Sequence, residues 1–173
     1  MAGDVFLMFQ GFFIPGLVSF LVAHLFYVAL FKSGQAWFPH RGALAATLGI
    51  GTAMYAFLWT SGLPPALRAP VAAYVLVIAL MAAQAIGRAT VLRDAASLCV
   101  AIGAGFFMLS DSLLATNRFV TPLPMAQVWV LATYYAAQAL IVAGMLRGTA
   151  RAEPSSATPL TPQTDLARSP SAA

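Results

Sequence analysis

Long apolar runs separated by short polar segments dominate this chain. Asp, Glu, Lys and Arg are absent from residues 5–31, 42–67, 69–87, 95–110 and 119–146. A membrane-spanning helix needs about 20 apolar residues. Four of these runs reach that length, and residues 95–110 reach it once their ends are included. The pattern therefore predicts an all-α, polytopic transmembrane helix bundle with about five full spans plus a partial N-terminal one.

Turn-forming residues between the runs set the predicted helix bounds. The predicted helices cover about residues 1–10, 13–31, 42–60, 67–87, 94–115 and 125–146. Asp94 stands where its charge favours the positive end of a helix, and Pro70 is expected in a first turn, where proline is tolerated. The stub at 1–10 resembles the end of a helix, so we expect further spans upstream of Met1.

A change in composition divides the chain near residue 147. Residues 1–147 form the predicted transmembrane domain, with a turn expected at 116–124. Residues 148–173 are rich in Ser, Thr, Pro and Ala and lack aromatic residues, a composition typical of disordered segments. We therefore predict a disordered cytoplasmic tail.

Charge is scarce and unevenly distributed. Only 8% of the residues are charged, against about 25% in soluble domains, which excludes a water-soluble monomer. The basic residues are isolated from each other, unlike a nucleic-acid-binding patch. One side of the predicted bundle carries Lys32, Arg41, Arg88, Arg93, Arg147, Arg151 and Arg168, and the other carries Arg68 and Arg118. The positive-inside rule therefore predicts a cytoplasmic C-terminus.

Small residues four positions apart predict close helix contacts. Ala45, Gly49 and Ala53 share one helical face, and Ala101 and Gly105 share another. Such spacing lets two membrane helices approach closely. We expect both faces to pack against neighbouring helices.

Two of the five acidic residues fall within apolar spans. Two others lie in the predicted tail, and Asp94 begins a helix, which leaves Asp4 and Asp111. An ionisable group inside a membrane is costly and is a candidate functional residue by default. Arg118 follows Asp111 by seven residues, hence on the same face if the helix continues. The alternative is that a carboxylate there only caps a helix or pairs with Arg118.

Other polar residues follow helical stripes. One stripe contains Phe20, His24, Tyr27 and Phe31, and a second contains Gln127, Tyr134 and Gln138, with Tyr135 adjacent. Taken singly, each is more often a buried hydrogen-bonding residue than a catalytic one. Together they predict a polar pocket that faces the two aspartates. HExxH, GxSxG and P-loop motifs are absent, and Cys99 is the only cysteine, which excludes an internal disulfide and a cysteine-based metal site.

Four segments carry a resemblance to a known family. They are Gly3–Met8, Gly16–Phe20 continuing to His24 and Tyr27, Gly105–Leu114 continuing to Arg118-Phe119, and Tyr134–Gln138. The most specific pattern is Ser-Asp-x-Leu-Leu, then Arg-Phe, then Tyr-Tyr-x-x-Gln. Over residues 3–146 the chain resembles the YhhN/TMEM86 membrane proteins, whose characterised members are lysoplasmalogenases.

The resemblance implies hydrolysis of the vinyl ether bond of a lysoplasmalogen. The products would be a fatty aldehyde and glycerophosphoethanolamine or glycerophosphocholine. Such hydrolysis needs a carboxylic acid to protonate carbon and a second carboxylate nearby, as in glycosidases, and Asp4 and Asp111 are the predicted catalytic pair. Arg118 would bind phosphate. The expected positioning residues for water, head group or aspartates are His24, Tyr27, Tyr134, Tyr135 and Gln138.

The expected partners are a lysophospholipid substrate and membrane lipids, with no cofactor, metal or nucleic acid. Two other functions fit the residues without the resemblance. A small proton-coupled transporter would use buried Asp, His and Tyr as a relay. A non-catalytic lipid-binding protein would bind lysophospholipid and release no product.

Overall fold

The computed structural model describes residues 13–152, and all of its regular elements are helices. They are α1 (Phe13–Lys32), α2 (Arg41–Thr60), α3 (Pro65–Leu92), α4 (Ala95–Phe119) and α5 (Ala126–Ala152). All five are long and apolar enough to cross a membrane. The predicted all-α bundle with five full spans is therefore confirmed. The predicted stub at 1–10 and the tail from 153 onward lie outside the described residues.

Three helices extend beyond their predicted ends. α4 continues into the expected turn as far as Phe119, because no helix breaker occurs before Pro122. α5 continues to Ala152, two residues before Pro154, so it includes the first residues of the predicted tail. α3 begins at Pro65, which places Pro70 beyond the first turn.

Side chains cap two of the helices at their N-termini. The Asp94 carboxylate accepts a hydrogen bond of 2.7 Å from the Ser97 backbone N–H, which confirms its predicted place at the start of α4. His40 Nδ1 accepts one of 2.9 Å from the Ala43 N–H at the start of α2. Each acceptor satisfies one of the backbone donors that a helix start leaves without an intrahelical partner.

The centre of the bundle is α3, which contacts α1, α2 and α4. Its buried residues include an almost continuous segment from Ile78 to Ala85. α4 and α5 form a tight antiparallel pair beside it. A Cβ on Gly103 would lie 2.9 Å from the Ala137 carbonyl oxygen, and a Cβ on Gly144 would lie 2.6 Å from that of Ala96. These two glycines therefore permit the close approach of α4 and α5.

The small residues that pack are not the ones that the spacing predicted. Ala45, Gly49 and Ala53 are exposed, and a Cβ on Gly49 would have no neighbour within 4 Å. The same is true of Gly105, whereas Gly51 faces α3. Spacing by four places residues on one face of a helix, but it does not determine whether that face meets protein or lipid. The contacts predicted at Ala45, Gly49, Ala53 and Gly105 were wrong for this reason.

Candidate functional site

A groove opens at the end of the bundle where the 61–64 and 120–125 turns lie. The empty space along its walls, including the open part outside the bundle, is about 790 Å³. α1 contributes Leu17 and Phe20, α2 contributes Ile50, Gly51, Met54 and Leu58, and α3 contributes Val71, Tyr74, Val75 and Ile78. α4 contributes Met108, Asp111, Ser112, Leu114, Ala115, Arg118 and Phe119. The wall is thus mainly apolar, with a few polar groups on α3 and α4.

Asp111 lies on the groove wall and is held by a neighbouring helix. Its Oδ2 accepts a hydrogen bond of 2.5 Å from the Tyr74 hydroxyl on α3. Sequence reasoning missed Tyr74. A signal was present, because after Arg68 only Tyr74 and Gln84 interrupt the apolar sequence of residues 69–87. The bond fixes one carboxyl oxygen of Asp111 beside the groove.

Arg118 lies two helical turns from Asp111, nearer the end of α4, and lines the same groove. The predicted sharing of one face is confirmed, because α4 continues to Phe119. Arg118 is exposed, as expected for a cation at the membrane interface. Arg68, at the same end, instead stacks over the Trp59 ring at 4.1 Å and bonds to the Leu63 carbonyl.

His24 is fully buried behind the groove. Its Nδ1 lies 2.6 Å from the Phe20 carbonyl oxygen, and since a carbonyl only accepts, Nδ1 carries the proton. Nε2 is then an acceptor, and it has no hydrogen-bond partner among the described residues. The ring makes edge-on contacts with Tyr74 at 5.4 Å and Phe107 at 4.6 Å. His24 therefore packs directly against the tyrosine that holds Asp111.

Tyr27 and Gln138 connect α1 to α5. The Tyr27 hydroxyl donates to Gln138 Oε1 at 2.8 Å. The amide nitrogen of Gln138 is buried and lacks a partner among residues 13–152. An unpaired buried polar group is costly, so this nitrogen and His24 Nε2 are two places where a bound water or substrate atom would be favourable.

The remaining predicted residues differ in placement. Tyr134 is buried, with edge-on contacts to Phe20 and Phe107. Tyr135, one residue further along, is 64% exposed, because successive helical residues point about 100° apart. Gln127 is also exposed, so Tyr135 and Gln127 lie apart from the polar side chains of His24, Tyr27 and Gln138. Asp4 lies outside the described residues.

The predicted polar pocket is thus partly assembled by the described residues. Tyr74 bonds to Asp111 and packs against His24. Tyr27 lies edge-on to His24, with 6.5 Å between ring centroids, and bonds to Gln138. We call these five residues the polar cluster. The cluster joins α1, α3, α4 and α5. Asp111 marks its boundary with the groove.

These features define a class of protein: a multi-span helical membrane protein with a carboxyl group on the wall of an apolar groove. The profile of the YhhN family matches residues 1–145. The chain belongs to the YhhN family, which confirms the resemblance drawn from its motifs.

Curated relatives extend the comparison. Human lysoplasmalogenase TMEM86B is 34% identical over 145 residues, which cover 84% of this chain and 59% of that protein. Human lysoplasmalogenase TMEM86A is 34% identical over 147 residues, covering 80% and 58%. A lysoplasmalogenase of Mycobacterium tuberculosis is 30% identical over 140 residues, covering 79% and 52%. The chain spans somewhat more than half the length of these relatives. No solved structure matches it.

Proposed function

We propose that this protein is a membrane hydrolase that cleaves the vinyl ether bond of lysoplasmalogens. The products are a fatty aldehyde and glycerophosphoethanolamine or glycerophosphocholine. Relatives that carry the name lysoplasmalogenase support this reaction. The observation that carries the proposal is Asp111 on an apolar groove wall with Arg118 on the same wall nearer the helix end, since an acid within a span indicates function.

The spacing of these two side chains suits a lysophospholipid. Seven residues of helix separate Asp111 from Arg118 by about 10 Å along the axis. In a lysoplasmalogen, the phosphorus and the β-carbon of the vinyl ether are seven bonds apart. An extended chain advances about 1.2 Å per bond, or about 8 Å here. When the phosphate binds Arg118, the vinyl ether therefore lies at the level of Asp111. The rest of the alkenyl chain continues into the apolar groove.

The carboxyl group of Asp111 supplies the proton that starts the reaction. Protonation of the β-carbon breaks the carbon–carbon π bond and leaves an oxocarbenium ion. Water adds to the cationic carbon and loses a proton, which gives a hemiacetal. The hemiacetal then collapses to aldehyde and the glycerol hydroxyl. One water is consumed, and the proton returns to a carboxylate.

The second carboxylate in this scheme is Asp4, assigned from its sequence motif. A carboxylate near the oxocarbenium ion stabilises its positive charge and accepts a proton from the attacking water, the division of roles found in glycosidases. Asp4→Asn is therefore expected to abolish turnover as completely as Asp111→Asn while leaving the protein folded. Wild-type aldehyde release by Asp4→Asn would remove it from the pair.

The polar cluster behind Asp111 positions the reacting groups. Tyr74 fixes Oδ2 by its hydrogen bond, so Oδ1 is the oxygen that reaches substrate. His24 Nε2 can accept a hydrogen bond from water, and the Gln138 amide nitrogen can donate one. Tyr27 orients that amide from its other side. The cluster is thus suited to hold water in an otherwise apolar bundle.

The test is substrate-dependent aldehyde release by the purified protein in detergent, where transport between compartments does not operate. A lysoplasmalogen is compared with the saturated alkyl ether of the same head group and chain length, which cannot be protonated at carbon. The expected result is aldehyde from the vinyl ether only. Binding of both lipids without any aldehyde would contradict the hydrolase and favour a lipid-binding protein. Proton-coupled uptake in vesicles without aldehyde would favour a transporter.

A further inference from the structure

The groove is confined to one end of every helix that lines it. On α2 and α4, which run toward the 61–64 and 120–125 turns, the lining residues lie between the middle and the C-terminal end, at 50–58 and 108–119. On α1 and α3, which run away from those turns, they lie in the N-terminal half, at 17–20 and 71–78. Four helices of alternating direction therefore place the groove at the same end of the bundle.

The depth of the groove matches one leaflet. The longest lined segment runs along α4 from Met108 to Phe119, twelve residues that span about 16 Å. The hydrocarbon core of a bilayer is about 30 Å thick. The groove therefore reaches from one interface to about the middle of the membrane.

At the opposite end of the bundle the 33–40 loop packs on α3, and a separate cavity beside Arg88 and Asp94 shares no lining residue with the groove. The side chain of Gln84 is fully buried and bonds to the Phe38 N–H and the Ala36 carbonyl oxygen. A Cβ on Gly87 would lie 2.9 Å from a ring carbon of Pro39. The 33–40 loop is thus held tightly over α3, and the groove lining in the described residues includes none of this end.

The groove is also accessible from the side. Ile50, which lines it on α2, is 60% exposed on the outer surface. α2 and α4 make only slight contact with each other, because the groove lies between them. A lipid in the same leaflet can reach the groove by lateral movement and keep its head group at the interface beside Arg118.

We propose that the site takes its lysophospholipid only from the leaflet at the end of the 61–64 and 120–125 turns, opposite the C-terminal end of α5, and releases the polar product on that side. The inference rests on the proposed hydrolase and adds its sidedness. The opposite end carries Lys32, Arg41, Arg88, Arg93 and Arg147, against Arg68 and Arg118 at the groove end. By the positive-inside rule, the substrate leaflet faces away from the cytoplasm.

The experiment uses sealed proteoliposomes in which the orientation of the protein is measured. Cys99→Ala supplies a cysteine-free background, and Ala36→Cys or Thr121→Cys reports one end each through a membrane-impermeant maleimide. Both positions are exposed. Lysoplasmalogen is added to the outer leaflet alone, and aldehyde is measured over a period in which albumin still extracts the unreacted lipid. The same vesicles are then dissolved in detergent to give total activity.

The expected result is that activity before detergent, as a fraction of the total, equals the fraction of molecules with Thr121 outward. Glycerophosphoethanolamine should appear outside the vesicles. If the active fraction instead equals the fraction of molecules with Ala36 outward, or if all molecules are active in either orientation, the sidedness is overturned and the hydrolase stands. Absence of aldehyde even in detergent would instead contradict the hydrolase itself, and the sidedness with it.

Discussion

The two ends of the helix bundle are built differently. At the end of the 33–40 loop, helices meet through small residues, and the buried Gln84 uses both its amide oxygen and its amide nitrogen in hydrogen bonds. Toward the other end, large side chains separate the helices around the groove. Gln138, near the middle of α5, accepts a hydrogen bond at its amide oxygen, but its amide nitrogen has no hydrogen-bond partner among the described residues. One end thus contains a fully hydrogen-bonded glutamine, and the other contains the groove with Asp111 on its wall.

The hydrogen bonding of the two glutamines separates a structural polar residue from a functional one inside a membrane protein. Both glutamines interrupt apolar helices, so they look alike in the sequence. A buried polar group that is fully hydrogen-bonded stabilises the fold, whereas one with an unused donor costs free energy unless it binds something. Substitutions at each end of the bundle test this contrast.

The largest effect on substrate binding is expected at the mouth of the groove. Arg118→Ala should raise KM for lysoplasmalogen by about 10- to 100-fold with kcat nearly unchanged, since a charge-assisted hydrogen bond contributes about 1.5–3 kcal/mol. Arg68→Ala is the matched control, because Arg68 lies at the same end but outside the groove lining. Steady-state kinetics in detergent check both. A loss confined to kcat would show that Arg118 acts on the carboxylates and not on the phosphate.

The closed packing of α4 against α5 predicts a large effect on stability. Gly103→Ala should lower the free energy of unfolding by about 1–3 kcal/mol, because the new Cβ would overlap the Ala137 carbonyl oxygen. Gly105→Ala, two residues away on the same helix, has open space around it and should be neutral or slightly stabilising. Thermal or denaturant unfolding of both variants provides the measurement. Equal stability of the two would contradict the described packing.

Removal of the Tyr74 hydroxyl should have a moderate effect on catalysis. Tyr74→Phe keeps the ring that packs on His24 and deletes the bond to Asp111, so we expect about a tenfold lower kcat and an unchanged KM. Tyr55→Phe is the control, because the Tyr55 hydroxyl bonds to the Arg68 carbonyl away from Asp111. The infrared carboxyl band that disappears in Asp111→Asn should shift in Tyr74→Phe and stay unchanged in Tyr55→Phe. An unshifted band would contradict the bond.

The smallest effect on activity is expected for Gln138. Gln138→Leu should lower kcat a few-fold and leave stability unchanged or higher, since it removes a buried donor that lacks a protein partner. Gln84→Leu should leave kcat of the folded protein nearly unchanged and lower the free energy of unfolding, because it leaves the Phe38 N–H and the Ala36 carbonyl unpaired. Paired unfolding and turnover measurements separate the two. The same response from both glutamines would remove the contrast between the ends.

Much of the fold was predictable because membrane helices follow from the length of apolar runs. The residues at which the helices end were harder to predict. α4 continues to Phe119 and α5 to Ala152 because helix breakers come only at Pro122 and Pro154. Which small residues pack was not predictable, since the faces containing Gly49 and Gly51 look equally apolar in the sequence, and only Gly51 meets α3.

The candidate site was predictable where polar residues are rare and unpredictable where pairing is long-range. Scarcity of charge identified Asp111 and Arg118, and helical spacing placed them together. Tyr74 was missed because its role depends on a contact with Asp111, 37 residues away on another helix. Tyr135 shares its motif with Tyr134 yet points outward, a difference that depends on how α5 is rotated in the bundle.

If the groove carboxyl of Asp111 carries out the chemistry, its removal must abolish turnover, whereas removal of another aspartate must not. Aldehyde release from lysoplasmalogen is compared for Asp111→Asn and Asp94→Asn. Asparagine caps a helix about as well as aspartate, so the Asp94 variant should retain wild-type kcat/KM. Asp111→Asn should lose at least about 100-fold, the lower range for general acid catalysis. A folded Asp111→Asn protein that releases aldehyde at the wild-type rate would contradict the account.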